Sequence, residues 1–532
     1  MPKAIILLII AGILIIACKK TDLKSPPAPP ANADINKPKL ITDEISNLTF
    51  YSVRFSGSLT DSGRSMIKEK GFLVDTVALP TLKRNLNSFK TMESDDGHSF
   101  STTVNEIPEG PTFYIRAYAI NATDTGYGNQ VQFVAKKQNI YSGDKTLATQ
   151  EEVIEFGSHH YTTVDGNFTI TGAASDLSPL MDLTIINYGF DIVNSALPDL
   201  KGLDNLEVIG AVYPHYFNVE RNANLQNLKG LSKLKIIYGG FQIDNNASLV
   251  SFEGLDKFVL TSNGAIRIGE NPVLQNVNGL KHLEFVGGDF SLINNPLLAD
   301  IAELTSLHFV DGRFYVMNCP SLPSLNGLEG LNRLSDGVDL ENNTLLADIS
   351  GLRNLNSFGS DYGRGGITLD NNPLLTNIDV FEWITDIDYV KIQNNKGIQS
   401  LSGLKNLRFV GVLLNIENNA SLLSLSGLES LTSASRIDIL SNPLLTNLQG
   451  LNNLTTISGL LGMIVISRNP GLQTLSGLDN LRQVDNYVVI AENMALTDFC
   501  PLKKLLTGFT RSFECSGNAA NPTQADIVTN CP

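Results

Sequence analysis

Arg267, Arg313, Tyr315, Asp339 and Lys391 read either as part of a solvated sheet face or as the middle of a ligand-binding one. They fall in a stretch that repeats about every 24 residues; Tyr315 and Asp339 are one such step apart. On a stacked scaffold, residues at whole-repeat spacing come to lie on one face. Arg and Tyr are the usual anchors of such faces. The chemistry is recognition by guanidinium, ammonium, carboxylate and phenol groups. A second set, Tyr213, Tyr216, Asp361, Tyr362 and Arg364, sits where extra residues interrupt the repeat. Insertions in a repeat array become loops, and loops carry function more often than coils do.

No reaction centre emerges. The chain has no GxSxG elbow, Cys/His motif, P-loop or dinucleotide fingerprint. Its six histidines are scattered, and His159-His160 reads as a polar turn. Asp244, Glu341, Asp370 and Glu417 could line a calcium column, but no DxDxDG-like loop accompanies them. No catalytic residue, metal ligand or cofactor is expected. The net charge of −15 argues against nucleic acid, whose phosphates need a basic face.

The positioning elements follow from the repeat. One slot recurs at Asn194, Asn222, Asn246, Asn271, Asn295, Cys319, Asn343, Asn372, Asn395, Asn419, Asn442, Asn469 and Asn493. Around Asn271, Ile266 and Ile268 precede at −5 and −3, and Leu274, Val277, Leu280 and Leu283 follow at three-residue intervals. The −5/−3 pair has period two and predicts a short strand with both side chains on one face. The spacing of three predicts a coil that turns corners with one apolar residue inward on each side. Stacked coils bury a continuous core that no single unit could bury. Asn suits the corner because it tolerates left-handed backbone and its amide bonds backbone groups. Cys319 is a small buried substitute. Outward positions at −4 and −2, with −6, hold the candidate face, with Val465 and Val489 interrupting it toward the end. Thirteen or fourteen coils at roughly 4.8 Å would span about 65 Å.

The segment "GAIRIGENPVLQNVNGL" resembles the receptor L domain, a β-helical relative of leucine-rich repeats that binds ligands in receptor ectodomains. The apolar residue after the slot falls at +3, where the common leucine-rich pattern has +2. The resemblance implies a binding surface and no chemistry. Residues 40–137 alternate with period two in "FYSVRFSGSL", "KEKGFLVD", "HSFSTTVNEI", "FYIRAYAI" and "NQVQFVA", which predicts a β-sandwich. "IPEGPTFYIRAYA" and "GYGNQVQF" resemble the end of a fibronectin type III module, with Phe113 where the corner tyrosine usually stands. At the N-terminus, Lys3, an apolar run from Ala4 to Ala17 and "IIAC" resemble a bacterial lipoprotein signal, which implies acylation of Cys18.

The expected fold class is all-β: a sandwich followed by a long right-handed parallel β-solenoid with small helical caps. The expected organisation is a signal peptide over 1–17, a Pro-rich tether over 18–39, and the sandwich over 40–137. A linker and cap over 138–165, the solenoid over 166–499 and a terminal cap over 500–532 follow. Thr149 and Glu152 form a capping box for the first cap helix, with Val153, Ile154 and Phe156 over the first coil. Among Cys500, Cys515 and Cys531 three pairings are open, and Cys500–Cys531 is the expected one. The functional expectation is a monomeric, non-catalytic outer-membrane lipoprotein, exposed at the cell surface and binding an extracellular protein or glycan. A polysaccharide-degrading β-helix enzyme and a periplasmic structural protein are the alternatives.

Overall fold

The structure is a computed structural model that describes residues 36–46, 48, 52–90, 98–105, 111–134, 138–212, 215–358 and 365–531. The lipobox with Cys18, and Tyr213, Asp361, Tyr362 and Arg364, lie outside the described residues. The chain divides into two compact units, Met1–Gln138 and Asn139–Pro532.

The first unit has seven strands: β1 (Lys39–Thr42), β2 (Ser52–Asp61), β3 (Glu69–Asp75), β4 (Asn87–Lys90), β5 (Ser99–Asn105), β6 (Thr112–Ile120) and β7 (Thr125–Val134). They pair antiparallel into a three-stranded sheet, β1-β2-β5, and a four-stranded sheet, β4-β3-β6-β7. Alternation places Phe113, Ile115, Ala117 and Ala119 of β6 inward. Phe55 of β2 meets Phe72 of β3 with ring centroids 5.8 Å apart, so the two sheets share one core. β1 and β4 have no counterpart in the sequence reading. Each has four residues, and β4 has a single apolar side chain, the half-buried Phe89, so it shows no apolar alternation.

The second unit is a parallel β-solenoid of about 15 turns. Each turn adds a strand to a main sheet, as Ile266–Gly269 does, and most add a two-residue strand to a second sheet, as Phe285–Val286 does. Main-sheet register is strict: Phe241 pairs with Ile266, which pairs with Phe290. Equivalent core residues therefore stack. Phe190, Phe217 and Phe241 lie face to face at 5.0 Å between neighbours. The main sheet also extends past the recognised repeats, to Lys145–Leu147 at one end and Ser512–Ser516 at the other. Those strands lack the Leu-rich unit around them, so the repeat count missed them.

At each corner the residue before the slot, not the slot itself, takes the left-handed backbone. Arg221, Asn245, Glu270 and Asn294 have φ between 56° and 60°. Asn222, Asn246, Asn271 and Asn295 are fully buried and form a ladder. The Asn271 backbone N–H donates to Asn295 Oδ1 at 3.1 Å, and its Nδ2 donates to Ile243 O at 2.9 Å and Gly269 O at 2.8 Å. The first rung corrects the sequence reading. Asn194 carries φ 51°, and Ser195 occupies the slot, donating its backbone N–H and its hydroxyl to Asn222 Oδ1 at 2.9 and 2.7 Å. Asn518 adds a last rung, 3.0 Å from the Asn493 N–H. Gly279 shows why glycine recurs eight residues after the slot: φ is 112° and a Cβ would lie 2.1 Å from Phe252 O.

The two sheets differ in continuity. The ten strands of the second sheet end at Ser357–Phe358. In the next two turns Asp386–Gln393 and Phe409–Glu417 run through both sheet positions as single strands. Two-residue strands then resume at Ser433–Ala434. Among the described residues no pairing joins Ser357–Phe358 to Asp386–Ile387.

The ends are capped. The helix Gln150–Ser158 has the Thr149/Glu152 box, and Val153 and Phe156 are buried. Ile154 instead faces solvent, 55% exposed, because it lies on the opposite helix face. At the other end Cys500 and Cys531 are disulfide-bonded, tying a short helical turn to the helix Gln524–Asn530. Cys319 and Cys515 are free thiols.

Candidate binding face

The outer face of the main sheet gathers most of the residues singled out by spacing. In register order one column runs Arg267, Ser291, Tyr315, Asp339, Thr368, Lys391. Five strand steps separate its ends, about 24 Å at the usual strand spacing. Arg313 stands two residues before Tyr315 on the same strand and so on the same face. Glu341 and Asp370 are cross-strand neighbours in the adjacent column.

Ion pairs fix this face. Arg267 Nε reaches Asp244 Oδ2 at 2.9 Å, and Gln242 Nε2 donates to the same oxygen at 2.6 Å. Arg313 Nη1 contacts both oxygens of Asp339, at 3.0 and 3.2 Å. The Arg313 backbone N–H donates to Asp289 Oδ1 at 2.8 Å. Further along, Arg436 pairs with Asp438 on its own strand at 2.8 Å. These partners are partly buried, so less rotamer freedom remains to be lost on binding. Lys391 has no ion-pair partner among the described residues.

Burial shapes the titration of the face. The Glu341 carboxyl is pushed up, first by burial and then by the negative charges of Asp339 and Asp370, with Lys391 pulling the other way. The Tyr315 hydroxyl is also pushed up, first by burial and then by Asp289, against Arg313. Cys319, in the ladder rather than on the face, has its thiol raised to about 11 by burial.

Other candidates stand apart. Tyr216 is 53% exposed just before the earlier main-sheet strand Phe217–Glu220. His160 Nδ1 meets Asp182 at 2.8 Å and His159 stacks on Tyr161, so the pair closes a polar turn. Among the described residues no group of three or more His, Cys, Asp or Glu is placed to hold a metal.

Sequence reasoning missed a groove of about 690 Å³ between the turn that contains Arg353 and the turn that contains Trp383. Its signals were present: a long unit from Asn343 to Asn372, then a short one to Asn395, and the chain's one tryptophan.

The fold thus defines a parallel β-solenoid with a polar, ion-paired face. No family model matches the chain, and neither the curated proteins nor the solved structures give a match.

Proposed function

We propose that this protein is a lipid-anchored envelope protein that presents its solenoid outward and binds an extracellular protein or glycan without catalysis. The observation that carries the reading is the register-locked column Arg267–Tyr315–Asp339–Lys391 with Arg313 paired beside it. Strict strand register and ion pairing preorganise these groups, and preorganisation lowers the entropic cost of binding. The "IIAC" motif supports acylation at Cys18. The three-plus-four strand order of the first unit supports a fibronectin type III-like spacer, and the repeat supports kinship with receptor L domains.

The test is protease treatment of intact cells, followed with an antibody against residues 139–532. The reading expects loss of the solenoid without lysis. Digestion only after the outer membrane is opened would replace it with the periplasmic reading.

One observation favours the enzymatic alternative. Glu341, its carboxyl pushed up by burial, is the cross-strand neighbour of Asp370, and a pair of carboxylates is what general acid–base hydrolysis uses. Hydrolysis of a polysaccharide that disappears in Glu341→Gln would establish that reading.

A further inference from the structure

The break in the second sheet is a built feature. In several turns an asparagine eleven residues after the slot bonds back to the preceding turn, while others hold Lys233, His282, Gly330 or Ser430 there. Asn354 Nδ2 donates to Glu329 O at 2.8 Å, Asn406 to Glu382 O at 2.7 Å and Asn453 to Glu429 O at 2.7 Å. In the turn that follows Asn372 that position holds Trp383. Its ring packs edge-on against Phe358, with centroids 4.9 Å apart, and its indole nitrogen is buried without a partner among the described residues. The backbone ladder skips the same step. Asn356 N–H donates to Asn332 O at 3.1 Å and Arg408 N–H to Thr385 O at 2.7 Å. Among the described residues nothing joins Thr385 N–H to Asn356 O. The groove is lined by Asn356 and Trp383, which lie beside this step.

Its volume, about 690 Å³, lies within the usual range of small-molecule sites. The wall carries the exposed amides of Asn354 and Asn356, the carboxylates of Asp379 and Glu382, the Arg353 guanidinium and the Trp383 ring. Glu382 is paired with Lys405 at 2.5 Å, and Asp379 accepts from Ser402 at 2.7 Å. Carboxylates outnumber the guanidinium on this wall, which disfavours an anionic guest. Amides and carboxylates offer donors and acceptors for hydroxyl groups, and an aromatic ring offers apolar area with a polar tip. An unpaired buried donor costs about 1–3 kcal/mol, which a guest oxygen reached by a small turn of the ring would recover. This combination fits a neutral polyol with C–H faces.

We infer that the Trp383 groove is a binding site for a short neutral oligosaccharide, separate from the main-sheet face. Trp383 is the only tryptophan, so its emission reports the groove without a label. The full chain is titrated with maltotriose, cellotriose, triacetylchitotriose and trigalacturonate. A saturable emission change with at least one neutral trisaccharide, and none with trigalacturonate, is expected. Asn356→Ala weakens that binding about tenfold with an unchanged melting midpoint. Trp383→Asn, which gives this turn the amide that Asn354 and Asn406 supply in its neighbours, abolishes it in calorimetry. No saturable change with any neutral trisaccharide, a response to trigalacturonate alone, or unaltered affinity in both variants overturns the inference. None of these results touches the main-sheet reading, which is measured with Tyr315 and Lys391 variants.

Discussion

The two sheets of the solenoid are built from the same turns, yet one is continuous and the other is interrupted. The main sheet carries the buried ladder from Ser195 to Asn518 with a polar side chain in every slot but Cys319. The second sheet has two-residue strands, and it parts between Ser357–Phe358 and Asp386–Ile387. A buried amide left without its partners is costly, so the ladder holds every turn in register. Short strands at the opposite side bury less and bond less. A five-residue lengthening of one unit can open them without breaking the stack. Rigidity and variation are thereby separated around the circumference of each turn.

The largest expected effect is on the ladder. Asn271→Ala leaves the Asn246 N–H, Ile243 O and Gly269 O without side-chain partners. A loss of about 3 kcal/mol in denaturant unfolding is expected. A cost below about 1 kcal/mol would mean that the ladder does not set register. The reverse change puts an amide in the one slot held by a thiol. Cys319→Asn places an amide within reach of Leu292 O, where the thiol now sits 3.6 Å away. It is expected to gain about 1 kcal/mol in the same assay. On the second-sheet side the amide is exposed, so Asn354→Ala is expected to cost only about 0.5 kcal/mol. A cost equal to that of Asn271→Ala would erase the contrast.

The smallest effect lies on the face. Glu341 titrates above its ordinary value in the fold, so folding carries a penalty at neutral pH that is absent below the ordinary glutamate range. Glu341→Gln is expected to raise the melting midpoint at neutral pH by on the order of 1 °C. The gain should vanish as pH falls into the range where the unfolded chain's glutamates protonate. A gain that persists there would point to packing rather than charge.

The repeat was legible because a core residue must return at every turn, and Leu274, Val277 and Leu280 mark it by type and spacing. The outer column was legible by counting from the same slot. The first rung was not, since Ser195 bonds through a hydroxyl and the conspicuous Asn194 sits one residue early in the left-handed corner. The seam was not legible either. It depends on which turns pair, and Trp383 in the sequence reads as one more apolar residue near the core. The cysteine pairing needed the spatial approach of Cys500 and Cys531 across the terminal cap.

The proposed binding role of the Arg267–Lys391 face is open to direct test. The purified chain and a Tyr315→Ala/Lys391→Glu variant would be applied to the same glycan and matrix-protein arrays. A ligand held by the natural chain and weakened at least about tenfold in the variant, with the melting midpoint unmoved, is expected. Equal capture by both chains, or no ligand for either, would contradict the proposed role.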